Sequence, residues 1–303
     1  LIEIPVLHKK HQSGGTMKRS FVNLVKPLIE RSPKVAMTYR YLRDTWHLYD
    51  DPENTGLGFK FIGNTLMETG QYELEETCLA TRMIDHADKV INIGANIGYY
   101  TCIGLCQGKH VMAFEPLEAN LKYLLRNIKM NCWESNAEVL PLALSDSTSV
   151  VELYGGGPQA SMVEGWGGDK KKYATLVPTS TLDTILDSRF RGEKCFCIVD
   201  IEGAEYKMLQ GAKSFLCMNP MPAWMIEITI SEHQPAGIRV NPNLLSTFQI
   251  FWDRNYEART ADSDIRLVHS EEVKAIADGS PDTFKTHNFL FVERGSINEW
   301  LCD

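Results

Sequence analysis

Residues 90–101 read VINIGANIGYYT, and the fold is decided there. Val90–Ile93 is a short apolar run of the kind that forms a buried strand. Gly94 follows at once, then Asn96 and Gly98, and Tyr99–Cys106 takes up helical spacing. Glycines let a chain turn sharply and bring its backbone close to a ligand. The helix N-terminus behind such a turn offers N–H groups with no partner inside the helix. Downstream, His110–Phe114 predicts a second strand, with Glu115 and Pro116 just past its end. An acidic side chain there accepts two hydrogen bonds from ribose hydroxyls, at the separation of about 20 residues that nucleotide folds use.

The pattern repeats outward. Leu117, Leu121, Leu124, Leu125 and Ile128 mark one face of an amphipathic helix. Glu138–Leu144 predicts a third strand, which Pro141 confines to a sheet edge. Val150–Tyr154 reads as an added hairpin strand, and glycine-rich Gly155–Lys172 as a loop over the site. Ser180 and Asp183 mark a helix start. Cys195–Ile201 and Ala223–Ile230 read as strands and Glu205–Cys217 as the helix between them. Pro242–Arg254 follows as a helix capped by Asn241, then the final strands Glu257–Ala261 and Thr286–Glu293. Upstream, Tyr72–His86 has helical spacing, Asp50–Gly58 is a turn-rich linker, and residues 17–49 read as helices interrupted near Pro27 and Pro33. Alternating strands and helices predict an α/β fold, with a mostly parallel sheet covered on both faces. The expected organisation is a helical, basic N-terminal extension over 1–55 and one domain over 56–303.

The 303 residues carry a net charge of −8. Nine Lys/Arg against three acids before Asp50 give that segment +6, which leaves −14 for the body. So acidic a body argues against a nucleic-acid partner. The basic start is either a solvated helical face or a contact for a membrane surface or protein partner. No apolar run approaches the roughly 20 residues of a membrane span. The opening LIEIPVLHKKHQ is unlike a secretory signal, and Met17 is a candidate start. The eight cysteines show no CxxC and no zinc-type spacing, so they read as reduced thiols of a cytoplasmic protein. The oligomeric state is open.

A dinucleotide fingerprint needs G-x-G-x-x-G. Here Asn96 stands at its second glycine, which makes a poor cradle for a pyrophosphate. The turn suits a ligand with a ribose and an amino-acid group but no phosphates, which describes S-adenosylmethionine. An NAD-dependent oxidoreductase is the disfavoured alternative.

VINIGANIGYYT, AFEPLEANLKYLLRN, LPLALSD and VDIEGAE, together with Gly70-Gln-Tyr72-Glu73 and Val177-Pro-Thr-Ser-Thr-Leu-Asp183, resemble the successive motifs of the FkbM family of methyltransferases. The likeness runs from about residue 55 to 293. It implies a Rossmann-like class I methyltransferase with seven strands, the last antiparallel and inserted beside the fifth. It further implies that Gly94, Ala95, Asn96 and Gly98 wrap the methionine part, that Glu115 and Pro116 hold the ribose, and that Ala143, Leu144, Ser145 and Asp146 lie along the adenine. The family commonly has an acid where this chain has Asn92. An amide brings no charge to the ligand's ammonium group, so either the affinity is lower or another acid, such as Glu73 or Asp200, compensates.

Methyl transfer is an in-line displacement that needs the acceptor aligned about 3 Å away, and a hydroxyl acceptor gains from a base. Asp200 and Glu202 follow the fourth strand, where such residues sit. They suit a sulfonium as charge partners, as a base, or, less favoured, as ligands of magnesium. Glu227, inside an apolar strand, is a catalytic candidate because an ionisable group there is costly unless used. His233, in the next loop, is a candidate base or plain surface. Glu205 opens a helix, where an acid suits the dipole. Tyr72 and Trp166 are candidates for the acceptor side, and Trp166 alternatively anchors its loop. The expected acceptor is a sugar, glycan or other small molecule methylated on oxygen. A nucleoside-binding protein without catalysis is the alternative. A base methyltransferase lacks support, because Asp-Ile-Glu-Gly replaces the Pro-Pro-aromatic turn that holds a flipped base.

Overall fold

The computed structural model describes residues 52–156, 160–168 and 174–301, together with Leu48. The helices expected over 17–49 and part of the loop expected over 155–172 lie outside the described residues. From Asp50 onward the chain forms one compact unit. Its first strand, β1 (Glu53–Asn54), pairs antiparallel with β2 (Lys60–Phe61), so residues assigned to the extension join the domain's first hairpin. Helices α1 (Thr65–Glu68) and α2 (Leu74–Asp85) follow.

The main sheet begins at β3 (Lys89–Ile93) and continues through α3 (Tyr99–Cys106), β4 (His110–Phe114), α4 (Glu118–Met130) and β5 (Ala137–Leu140). The chain then leaves it to build a smaller sheet from β6 (Ala143–Leu144), β7 (Ser149–Tyr154) and β8 (Ala174–Ser180). After α5 (Leu182–Leu186) it returns as β9 (Cys195–Val199), α6 (Glu205–Gln210), β10 (Ala223–Glu227) and α7 (Leu244–Trp252). Last come β11 (Tyr256–Thr260), β12 (Leu267–Val268), α8 (Ser270–Ala277), β13 (Asn288–Glu293) and α9 (Asn298–Leu301).

The spatial order is β12-β11-β13-β10-β9-β3-β4-β5, with β13 antiparallel to both of its neighbours. The expected seven strands are present, and the two-residue β12 adds an eighth at the edge. From β3 the chain winds outward through β4 and β5, then restarts on the other side with β9 and β10. That reversal opens a crevice beyond the carboxyl ends of β3 and β9, where α/β sheets bind ligands. One layer of core packs Ile91, Ile93, Cys197 and Val199 with α5, α6 and α7. The opposite layer packs Val90, Phe196 and Ile198 with α2, α3 and α4.

Several boundaries differ from expectation for visible reasons. β5 stops at Leu140 because Pro141 has no N–H for the ladder, and Ala143–Leu144 pairs with β8 instead. α6 ends at Gln210 rather than Cys217, since Gly211 lies against Ser145, where a Cβ would come within 2.1 Å of its carbonyl oxygen. α7 begins at Leu244. Asn241 holds the turn before it, its Oδ1 accepting from the Asn243 N–H at 2.9 Å. Leu125 is 52% exposed, and the buried face of α4 instead includes Asn120 and Asn127. The seven described cysteines are free thiols. Among the described residues no helix is long and apolar enough to cross a membrane.

Asn127 ties β2 to the glycine turn. Its Oδ1 accepts from the Ile62 N–H at 3.0 Å, and its Nδ2 donates to the carbonyls of Ile62 (3.1 Å) and Ile97 (2.8 Å). Asn127→Ala strands these backbone groups in a dry environment. The expected loss is about 2–3 kcal/mol of unfolding free energy in urea titration; a loss within error of zero would show that water replaces the amide.

Candidate active site

The turn after β3 is fixed by sterics. Gly94, Asn96 and Gly98 have φ of 80°, 51° and 96°. A Cβ on Gly94 would lie 1.9 Å from the carbonyl oxygen of Asp200, and one on Gly98 would meet Leu124 at 2.5 Å. The N–H groups of Gly94 and Ala95 both donate to the Phe114 carbonyl, at 3.0 and 2.9 Å. Glu115 then braces the turn. Its Oε2 accepts from the Asn96 N–H at 2.8 Å, and its Oε1 accepts from the Leu117 N–H at 2.8 Å and from Asn120 Nδ2 at 3.2 Å. Burial raises its pKa against the pull of those three donors. A carboxylate has about four lone-pair sites, so Glu115 has room for one further donor, not the two expected from sequence.

A cleft opens here, lined on its polar side by Gly94, Asn96, Glu115, Asn120, Asp200 and Glu202. Its apolar side is built by Ile93, Phe114, Leu142, Ala143, Leu144 and Leu153, and Ala160 and Met162 of the loop before β8 close over it. Pro116 also lines it, as expected. Ser145 and Asp146, expected along the adenine, do not. Asp146 is exposed and accepts from the hydroxyls of Ser145 and Ser147. Ala95 and Gly98 serve the turn and its packing rather than the cleft wall. Asn92 points to the α3 side of the sheet, where its Nδ2 donates to Thr101 Oγ1 at 2.9 Å. Asn120 and the loop residues were missed. The available signal was an asparagine on the apolar face of α4.

Beyond the cleft the carboxyl ends of β9 and β10 gather acids. The ladder pairs Val199 with Ile226, which brings the next residues, Asp200 and Glu227, together. Burial and then the neighbouring Glu227, Glu202, Glu73 and Glu205 push Asp200 well above the carboxylate range. Burial, then Glu202 and Glu73, raise Glu227 to about 7. Glu205, buried and accepting from the Gly203 N–H at 2.9 Å, is likewise raised to about 7, chiefly by burial. It holds the turn after β9. Glu73 accepts from the Tyr100 hydroxyl at 3.0 Å, and burial, then the neighbouring Glu73, raises the Tyr72 phenol. Tyr72 thus belongs to the acid group and packs edge-on to Tyr99.

Trp166 is 4% exposed. Its Nε1 donates to Glu202 Oε2 at 2.7 Å, and its ring fills the space where Gly203 lacks a Cβ. It anchors the loop and offers no face to an acceptor, contrary to the stacking expectation. Ser161 Oγ also donates to the Glu202 carbonyl. His233, left-handed at φ 61°, reaches Glu202 with Nδ1 at 3.7 Å and is 39% exposed at its side chain. Among the described residues no group of three or more His, Cys, Asp or Glu is arranged to hold a metal ion.

This sheet order, with its inserted antiparallel strand and a glycine turn and acid at the switch point, defines the Rossmann-like fold of class I methyltransferases. A family model described as the methyltransferase FkbM domain matches residues 92–257, more than half of the chain. The chain belongs to that family. Among solved structures it is similar to methyltransferase FkbM from Methylobacillus flagellatus KT, at 21% identity and a TM-score of 0.41, covering 68% of this chain and 43% of that one. It is also similar to an O-methyltransferase from Bacillus cereus in complex with SAH, at 11% identity and a TM-score of 0.40, covering 73% and 80%. The chain thus spans less than half the length of the first of these. A comparison with curated proteins gave no match.

The raised carboxyl groups have a consequence for stability. Glu205 and Glu227 bind protons more tightly in the folded protein, at about 7, than at their ordinary value of 4.5. Their contribution is fully present below the lower value and is lost as pH rises through the upper one. The thermal midpoint is expected to fall across that window, and Glu205→Gln to flatten the fall. A midpoint independent of pH there, or an unchanged slope in the variant, would contradict the burial assignment.

Proposed function

We propose that the protein is an S-adenosylmethionine-dependent methyltransferase acting on a hydroxyl of a sugar, glycan or other small molecule. One observation carries the cofactor reading. Three carboxylates line the cleft, Glu115, Asp200 and Glu202, with no Lys, Arg or His among its described walls. A pyrophosphate there would face like charges with no cation, whereas a ligand bearing sulfonium and ammonium groups finds partners. The apolar wall of Leu142, Ala143, Leu144 and Leu153 suits a flat purine, and the free site on Glu115 suits a ribose hydroxyl. The bound cofactor would supply an activated methyl group.

The chain's own residues do the rest. Gly94 and Asn96 let the backbone approach the ligand, Glu115 orients it, and the Trp166 loop excludes water. Asp200 stands where a base for a hydroxyl acceptor is needed, with Glu202 and His233 beside it. The acids on the acceptor side suit neutral polyhydroxyl compounds, whose hydroxyl groups donate to carboxylates. We assign this chemistry to residues 56–303 together with the β1 strand that opens their first hairpin, with the basic segment before Asp50 as a solvated face or a contact for a partner or anionic surface.

Calorimetric titration with S-adenosylhomocysteine and, separately, NADH tests the cofactor. Micromolar binding of the first and none of the second is expected. Loss of the charge-assisted bond in Glu115→Ala should weaken binding about 10- to 100-fold. Preference for NADH would overturn the reading.

A further inference from the structure

The Val199–Ile226 pairing sets Asp200 and Glu227 at neighbouring positions where β9 and β10 end at the carboxyl edge of the sheet, and Glu227 is the first of the acids that raise the proton affinity of buried Asp200. Two ionised carboxylates have no donor between them. Two acids set side by side away from cations therefore favour holding one proton in common over ionising both. We propose that Asp200 and Glu227 share one proton in the ligand-free protein and release it when a sulfonium enters the cleft, so that this carboxyl dyad distinguishes S-adenosylmethionine from S-adenosylhomocysteine by charge. The inference rests on the cofactor reading above and gives the acid group a thermodynamic role.

The surroundings fix the sign. The groups facing the dyad are Glu73 and Tyr72 ahead of α2, Glu202 and Glu205 after β9, and His287 ahead of β13. The first four carry or can carry negative charge only, at a carboxyl or a phenol, and His287 is itself bracketed by Asp282 at 2.9 Å and Glu232 at 3.4 Å. With no lysine or arginine in the group, full ionisation of the dyad would add charge to an already anionic nest, so the free protein keeps the proton. Asp200 lines the cleft and Glu227 stands behind it. A cation at Asp200 supplies the missing counter-charge, and the proton passes to solvent.

The shared proton also has a place in the reaction. When a hydroxyl is methylated, an oxygen lone pair forms the C–O bond, the C–S pair stays on sulfur, and the O–H proton must leave. The sulfonium charge vanishes in that step. The dyad, no longer facing a cation, regains its affinity for a proton and takes the one the acceptor gives up. Glu227 is then a positioning residue that sets the basicity of Asp200.

The test is proton release on binding, read by calorimetry at neutral pH in buffers of different ionisation enthalpy. S-adenosylmethionine is expected to release about one proton more than S-adenosylhomocysteine, and Glu227→Gln to abolish the difference. Infrared difference spectra of the wild-type protein provide a readout that needs no variant: the protonated-carboxyl band should disappear with S-adenosylmethionine and persist with S-adenosylhomocysteine. Binding of both ligands with equal proton release, or an infrared band unchanged by either, overturns the dyad while leaving the cofactor reading intact. Binding of neither overturns the cofactor reading and the dyad with it.

Discussion

The contact on which the rest depends is between Gly94 and the carbonyl oxygen of Asp200. A single methyl group on Gly94 would sit 1.9 Å from that oxygen, so the turn after β3 and the end of β9 touch through backbone alone. The Asp200 N–H donates back to the Ile93 carbonyl at 3.1 Å, which extends the β3–β9 ladder to its last possible rung. Everything in the cleft is placed by this closure. It sets the Asn96 N–H within reach of Glu115 on one side, and on the other it presents Asp200 beside Glu227. Side chains can give by a few tenths of an ångström; two backbones cannot. The site is therefore held by main-chain geometry, and its acids are side chains hung on a rigid frame.

That rigidity bears on the electrostatics. A flexible site would let its carboxylates swing into water and ionise. Here Glu205 is tied to the Gly203 N–H, Glu202 to the Trp166 indole, and Glu115 to three donors. Glu115 and Glu205 are held where their desolvation is not relieved, and burial heads the causes of the raised proton affinity at Glu115, Asp200, Glu205 and Glu227. Buried charge without a counter-ion is costly to folding.

Much of this was legible in the sequence. The β3 turn and Glu115 were readable because strand period, glycine position and a fixed spacing agree, and the edge position of β5 followed from Pro141 alone. That Ser145 and Asp146 lie off the cleft wall was not readable, because a motif fixes a residue's place in the chain and not which side chains reach the cleft. Nor was the part played by Trp166. An indole in a glycine-rich loop can face an acceptor or the interior, and the choice is made by Gly203, a residue distant in sequence. Asn120 and Asn127 were passed over since periodicity counts apolar residues, and a buried asparagine looks like an interruption. Asn92 was read as a weakened ligand contact. In the structure its amide donates to Thr101 Oγ1.

The small sheet of β6, β7 and β8 has an apolar cluster of its own, with Leu117, Ala143, Leu153 and Val177. It enters the chain between β5, at the edge of the main sheet, and β9, at its centre. Its length and content are thus uncoupled from the eight-stranded ladder, yet it carries Leu153, Ala160 and Met162 to the cleft. Such an arrangement separates heritable variation into two compartments. Changes in this insert can alter what the enclosure admits without disturbing the frame, and an engineer seeking altered selectivity would graft hairpins here and leave the parallel strands alone.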